Sequence, residues 1–334
     1  RKVKVNNMKL AVDGMGGDHA PKTVIEGVLM ALNEFPDLEV KLYGNKETMR
    51  PFLQAHDRMQ VVHCEEVVTN DDDAARAVRR KKDSSMALML DAVKNGEADA
   101  CLSAGSTGAL MAGGLFKVGR IDGIERPALA TTLPTLDGKG FLMLDLGATA
   151  DAKAEYLLQY AIMGSIYARE VRGIKRPTVG LLNIGTEEKK GNELTKAVFE
   201  LLQASTDIHF IGNVESRDLM TGVADVVVTD GFTGNMVLKT IEGTAGVMFK
   251  MLKDGFMSSV KTKLAAAMMK PQLKTIKDTM DYTEYVGAAL FGLQAPVIKA
   301  HGSSNGQAIY SAIKQANLMV KHNVSATIQQ TIQS

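Results

Sequence analysis

The chain is predicted to fold as a three-layer α/β/α protein around a mainly parallel sheet, and three observations predict it. Short, near-continuous apolar runs recur along the chain, too uniformly apolar for strands that face water on one side. Most are followed by a stretch with helical spacing. Several end in a glycine-bearing polar loop that leads into the next helix: Asp13-Gly14-Met15-Gly16-Gly17-Asp18-His19, Ser103-Ala104-Gly105-Ser106-Thr107-Gly108, Asn183-Ile184-Gly185-Thr186-Glu187 and Asp230-Gly231-Phe232-Thr233-Gly234-Asn235.

Met8–Gly14 is a buried strand, and Pro21 opens a helix to about Phe35, since proline suits a first helical turn. Strand Leu38–Gly44, helix Lys46–His56, strand Met59–Cys64 and one long helix Ala74–Asn95 follow, then strand Ala98–Ala104 and helix Ser106–Val118. Two neighbouring apolar runs, Ala128–Leu133 and Phe141–Leu146, predict antiparallel pairing. Alternation resumes with helix Ala152–Glu170, strand Thr178–Ile184, helix Glu193–Ala204, strands Ile208–Val214 and Val223–Thr229, and helix Thr233–Leu252. Strand Val297–Ala300 and helix Asn305–Lys321 complete the alternation. No internal repeat or linker interrupts it, so residues 8–334 read as one domain of two interlocked lobes, with 254–280 as a protruding amphipathic helical segment.

Composition narrows the chemistry. With 334 residues, 45% hydrophobic and 23% charged, the chain can bury a large core, and its net charge of +1 provides no global attraction to nucleic acid. The two cysteines, Cys64 and Cys101, lie in apolar runs without metal-ligand spacing, and a reduced, cytoplasmic protein is expected. Cys101 sits close to the Ser103 loop, where a nucleophile is the alternative to inert packing, and packing is favoured because no histidine is near in sequence. Residues 1–7 lack the apolar core of a signal peptide, and Met8 reads as a natural start. No apolar stretch is long enough to span a bilayer. The first loop does not form a G-x-G-x-x-G fingerprint, no acidic residue follows Gly44, and no P-loop occurs, so nicotinamide and P-loop nucleotide sites are disfavoured. No cofactor and no metal are expected.

Glycine allows sharp turns and close ligand approach, and a helix start behind it offers free N–H groups and a positive dipole end, which together suit an anion. Candidate ligand contacts are therefore Asp13, Gly16, Gly17, Asp18 and His19; Gly105, Ser106, Thr107 and Gly108; Asn183, Gly185 and Glu187; Gly231 and Gly234; and His301, in a loop of the same style. Asp18 and His19 also suit a cap, and His301 either acid–base chemistry or a structural role. Asp230, at a strand end, and Asn235, one turn into the next helix, are candidates to orient substrate. Lys190 is the candidate phosphate cation, although paired surface lysines are commonly only solvated.

These loops, with Gly119-Arg120, Arg126-Pro127-Ala128, Leu181-Leu182-Asn183-Ile184-Gly185 and Lys189-Lys190-Gly191, closely resemble the bacterial acyl-acyl-carrier-protein:phosphate acyltransferases of phospholipid synthesis. The resemblance runs in order from Met8 to about Lys321. Ser106 stands where the family pattern S-A-G-N-T-G-A carries Asn, and Ala148-Thr149-Ala150 replaces a more usual Ala-Asn. The resemblance implies a homodimer with a fold akin to phosphate acetyltransferase and to isocitrate and isopropylmalate dehydrogenases. It implies transfer of a long acyl group from acyl-carrier protein to inorganic phosphate, with Asp230, Asn235 and Lys190 as catalytic candidates. The alternatives are a phosphate acetyltransferase-like enzyme using acyl-CoA, or a non-catalytic membrane-associated scaffold for lipid synthesis.

Two surface expectations follow. The block Arg76, Arg79, Arg80, Lys81 and Lys82 is the densest run of basic residues and would steer an acidic carrier protein. From Phe256 to Lys270, helical spacing puts Phe256, Val260 and Leu264 on one stripe with Met257 and Met268 beside it, and Lys261 near its edge. From Lys250 to Lys277 seven lysines face one acid, Asp254, a local balance of +6. Such a helix would lie on an anionic bilayer surface, giving peripheral contact with the cytoplasmic face of the membrane.

Overall fold

The computed structural model describes residues 7–280 and 287–333. In chain order come β1 (Met8–Asp13), α1 (Lys22–Glu34), β2 (Leu38–Gly44), α2 (Lys46–Met49), β3 (Met59–His63), α3 (Ala74–Arg80), α4 (Ser85–Lys94), β4 (Ala100–Ser103) and α5 (Thr107–Gly113). The second stretch holds β5 (Ala128–Leu133), β6 (Phe141–Leu144), α6 (Ala154–Glu170), β7 (Thr178–Asn183), α7 (Glu193–Ala204), β8 (His209–Glu215) and β9 (Val226–Val228). Helices α8 (Gly231–Met257), α9 (Val260–Met268) and α10 (Lys270–Met280) follow, then β10 (Ala288–Phe291), β11 (Val297–Lys299), α12 (Gly306–Lys321) and α13 (Val324–Gln333).

The strands form one 11-stranded sheet in the order β3-β2-β1-β4-β11-β10-β5-β6-β9-β7-β8. Two parallel blocks, β3-β2-β1-β4-β11 and β6-β9-β7-β8, run in opposite senses because β10 and β5 pair antiparallel between them. The predicted antiparallel partnership of β5 with β6 is present, with Thr131 opposite Met143. Alternate residues of each strand feed two apolar layers. Leu10, Val12, Leu142 and Leu144 join α1, α6, α7, α12 and α13 on one face. Ala11, Cys101, Met143, Leu129 and Leu290 join α3, α4, α5 and part of α8 on the other.

Several predicted elements change at specific residues. The single helix 74–95 is two, α3 and α4: Ser84 turns its hydroxyl to Lys81 O (2.7 Å) and accepts from Ala87 N (3.3 Å), so a new N-cap replaces helix continuation. The helix expected over 46–56 stops after one turn at Met49 and continues only as a 3-10 turn over Arg50–Phe52, because Pro51 lacks the N–H that the α ladder needs. Helix 106–118 becomes α5 plus a π turn over Gly114–Val118. The helix expected over 233–252 starts earlier, at Gly231, and reaches Met257, about 40 Å at 1.5 Å per residue. The stripe Phe256–Lys270 is not one helix: Ser259 and Thr262 form a capping box that ends α8 and starts α9. Phe256 and Met257 therefore belong to α8, and Val260, Lys261, Leu264 and Met268 to α9. Strand β10 and helix α13 were not expected.

Candidate active site

Every predicted glycine loop leaves the carboxyl end of a strand: after β1, β4, β7, β9 and β11. Those after β4, β9 and β11 meet the loop after β6 around one cavity of about 300 Å³ on the face that carries α5 and α8. Its walls include Thr107 from α5, Leu129 and Thr131 from β5, Leu146 and Gly147 after β6, and Asn235, Leu238, Lys239 and Glu242 from α8. Ala288, Lys299, His301, Ser304 and Ala308 close it from β10, β11 and the entry to α12.

Two helices, α5 and α12, begin at this cavity, and α8 reaches it one turn in, at Asn235; each has a side-chain cap. Ser106 Oγ accepts from Ala109 N (3.4 Å), Asp230 Oδ1 from Thr233 N (2.8 Å) and Asn305 Oδ1 from Ala308 N (2.8 Å). Their positive dipole ends bias the space between them toward an anion.

Behind the β1 and β4 loops lies a buried network. Asp13, 2% exposed, accepts the Ser103 hydroxyl (2.7 Å) and the Met15 N–H (3.1 Å), while Ser103 Oγ accepts from Gly105 N (3.0 Å). Gly16 is required here, because a Cβ would stand 2.6 Å from both Asp13 Oδ2 and Gly105 N. Gly17 adopts φ +108°, which disfavours any side chain. The Asp18 N–H donates to Gly302 O (2.8 Å), stitching this loop to the one after β11. Gly108 packs its backbone on Ala74 of α3.

Across the cavity Asp145 organises the other wall. It is fully buried; Oδ1 accepts from the N–H groups of Leu129 (3.0 Å), Gly147 (3.1 Å) and Ala148 (2.9 Å), and Oδ2 from Thr149 (2.7 Å). Burial pushes its carboxyl above the usual range, while these N–H groups pull the other way. Gly231 and Gly234 pack against Asp145 where a Cβ would clash, which brings the start of α8, and Asn235, to the cavity wall.

Lys299 is the least expected member. It is 9% exposed, and its Nζ donates to Ala104 O (3.3 Å) and to Ala300 O. Burial brings its ammonium down to about pH 8, against the opposing pull of Asp18 and Asp13. A signal existed: it is the only charge in the apolar run Val297–Ala300, at a strand end like the glycine loops. Asp145, at the end of Phe141–Leu144, carried the same signal.

Of the predicted residues, Thr107, Asn235 and His301 line the cavity. His301 Nδ1 accepts from Ser303 N (3.3 Å), leaving Nε2 as the ring donor. Asp13, Gly16, Gly17, Asp18, Gly105, Ser106, Gly231 and Gly234 do not line it; they make the loop and cap contacts given above. Asp230 spends both carboxylate oxygens on Thr233, on its N–H and on its hydroxyl (2.8 Å each). The exposed His19 offers its carbonyl to Thr23 in the first turn of α1. The loop after β7 is elsewhere: Asn183 Nδ2 donates to Lys190 O (3.1 Å), Asn213 Nδ2 to Glu187 O (2.9 Å), and Gly185 packs beneath Lys190. Asn183, Gly185, Glu187 and Lys190 are absent from the cavity wall, whose lysines are the buried Lys299 and the more exposed Lys239 rather than Lys190. Cys101 is wholly buried and its thiol is pushed up, first by burial and then by Asp13, which fits packing rather than nucleophilic chemistry.

Residues 8–327 match the family model described as "Fatty acid synthesis protein". The phosphate acyltransferase of Lysinibacillus sphaericus is 71% identical over 325 residues, covering 97% of this chain and 98% of the relative. That of Oceanobacillus iheyensis is 62% identical over 327 residues, covering 98% of each. Among solved structures, a phosphotransacetylase from Streptococcus pyogenes aligns with TM-score 0.60 at 17% identity over 98% of this chain and 95% of that one. A branched-chain phosphotransacylase from Enterococcus faecalis aligns at 0.58 and 16% identity, over 94% and 99%; at such identities the likeness concerns the fold alone. The full-length match and the close relatives show that this chain belongs to the fatty acid synthesis protein family, beside its phosphate acyltransferases.

Proposed function

We propose that the chain transfers a long acyl group from an acyl-carrier-protein thioester to inorganic phosphate, giving acyl-phosphate for phosphatidic acid and phospholipid synthesis. The observation that carries this reading is the convergence of two capped helix starts, α5 and α12, and the Asn235 turn of α8 on one cavity that also has apolar walls, Leu129, Leu146 and Leu238. An anion and an acyl chain fit that combination. A phosphate oxygen attacks the thioester carbonyl, the C–O bond forms, the C–S bond breaks, and the carrier leaves as its thiol, taking up the proton that hydrogen phosphate gives up. Phosphate near neutral pH is already an anionic nucleophile, so no activating triad is needed. The protein supplies alignment, worth about 7–11 kcal/mol, and donors to the developing oxyanion, about 3–4 kcal/mol each. The N–H groups at the start of α5, the Thr107 hydroxyl and the Asn235 amide are the donors at hand; Asp230 holds the first turn of α8, and through it Asn235.

Around this centre the proposal includes a homodimer, a carrier docked on α3, and peripheral contact of α9 with anionic lipid at the cytoplasmic membrane face. On α3, Arg79 lies 4.2 Å over the exposed Phe116 ring and Arg76 and Arg80 are exposed, as is Lys82 just past the helix end. Lys81 is engaged instead with Asp72 (2.7 Å) and Val67 O (2.9 Å), which removes it from the docking set. Among the described residues no helix is long and apolar enough to cross a membrane. The deciding measurement is acyl-phosphate formation from matched carrier-protein and CoA thioesters. Preference for the carrier thioester is expected; equal use of CoA would point to a phosphotransacetylase-like donor, and no product from either to a scaffold.

A further inference from the structure

Lys299 presents a buried cation without a counter-ion. Asp13 is occupied by Ser103 and Met15, and Lys299 forms no ion pair among the described residues. Its neighbours are named by charge: Asp13 from β1, Asp18 from the following loop and Lys239 from α8 act on it electrostatically, and His301 and Glu242 share the cavity wall. Lys239 is itself neutralised by Glu242 at 2.8 Å and is largely exposed. An ammonium taken out of water needs compensation by charge as well as by hydrogen bonds. Two backbone carbonyls satisfy two of its three N–H bonds. The third, and the charge, remain for whatever enters the cavity. A cation there acts on an anion through less water than Lys239 or Lys190 would.

We infer that Lys299 is the binding residue for the phosphate nucleophile, donating its remaining N–H to a phosphate oxygen between the starts of α5 and α12. The identity of the anion rests on the acyl-transfer reading; the anion site itself does not. The ammonium is also placed to stay near the phosphate while the acyl carbonyl is attacked, so charge is held rather than moved.

The test is calorimetric titration of inorganic phosphate into wild type, Lys299→Met, Lys299→Arg and Lys190→Ala, each first checked for native circular dichroism. Lys299→Met should bind phosphate about 10–100-fold more weakly, the range of a hydrogen bond to a charged group, while its KM for the acyl donor stays within about twofold. Lys299→Arg should recover part of the loss. Unchanged phosphate affinity in folded Lys299→Met overturns the inference, as does a loss confined to Lys190→Ala. Should Lys299→Met fail to fold, wild type decides: phosphate affinity should fall as pH rises through about 8, after correction for phosphate's own titration. A flat profile overturns the assignment. If wild type binds phosphate through Lys299 yet forms no acyl-phosphate, the anion site stands and the proposed reaction falls.

Discussion

At the residue scale, the same burial that equips Lys299 for an anion costs stability. Its folded pKa of about 8 lies below the ordinary 10.5, so between these values the unfolded chain binds more protons. The penalty is full below pH 8 and fades as pH rises toward 10.5. Ligand-free Lys299→Met should thus be more stable than wild type at pH 7, by roughly 1–3 kcal/mol, with the gap narrowing by pH 10. Thermal unfolding at the two pH values checks this, and an equal gap at both would contradict it. Asp230 has a different test. Its oxygens are both on Thr233, so Asp230→Asn should keep the backbone cap and turnover within about twofold, whereas Asp230→Ala should lose about 1 kcal/mol. Loss of turnover in a folded Asp230→Asn protein would show that the carboxylate acts on substrate directly.

At the element scale, two surfaces carry predictions. On α9, Val260, Leu264 and Met268 stand 74%, 63% and 82% exposed along one side. With the surrounding lysines they suit an anionic interface, the apolar side entering and the ammonium groups staying at head-group level. Vesicle co-sedimentation should show wild type binding anionic lipid at low salt, weakening as salt is added. Val260→Glu/Leu264→Glu should lose most of that binding; equal binding by this variant would remove α9 from the interface. On α3, Arg79→Glu/Arg80→Glu should lower kcat/KM for the carrier thioester about tenfold at low salt and flatten its salt dependence, because steering charges act mainly on association. Turnover of a short acyl-CoA, where detectable, serves as the control. An unchanged salt profile would put the carrier elsewhere.

At the scale of the whole molecule, α8 leaves Phe232 and Met236 exposed near its start and Val247 and Met251 about three turns further on, an apolar face that suits a protein contact. If the proposed homodimer forms through that face, sedimentation equilibrium should show a dimer that Val247→Asp/Met251→Asp dissociates, and a wild-type monomer would refute it. Much of this molecule was legible in its residues. Apolar runs with helical spacers dictate a covered parallel sheet, since only burial on both faces tolerates strands such as Val226–Val228. Glycine and cap residues at strand ends dictate where the chain turns and which helix starts can receive an anion. The split at Ser84 and the break at Ser259 were less legible, because local hydroxyl hydrogen bonds there outweigh a continuing helical pattern. Only the tertiary structure decided which loops meet. The antiparallel pair β10 and β5 reverses the second block, so the loops after β4, β11, β6 and β9 share a cavity while the loop after β7, with Lys190, does not. A lysine's identity is local, but its burial, its lack of a counter-ion and hence its chemistry come from strands brought together across the chain, and this is why Lys299 emerged from the fold and Lys190 from the sequence.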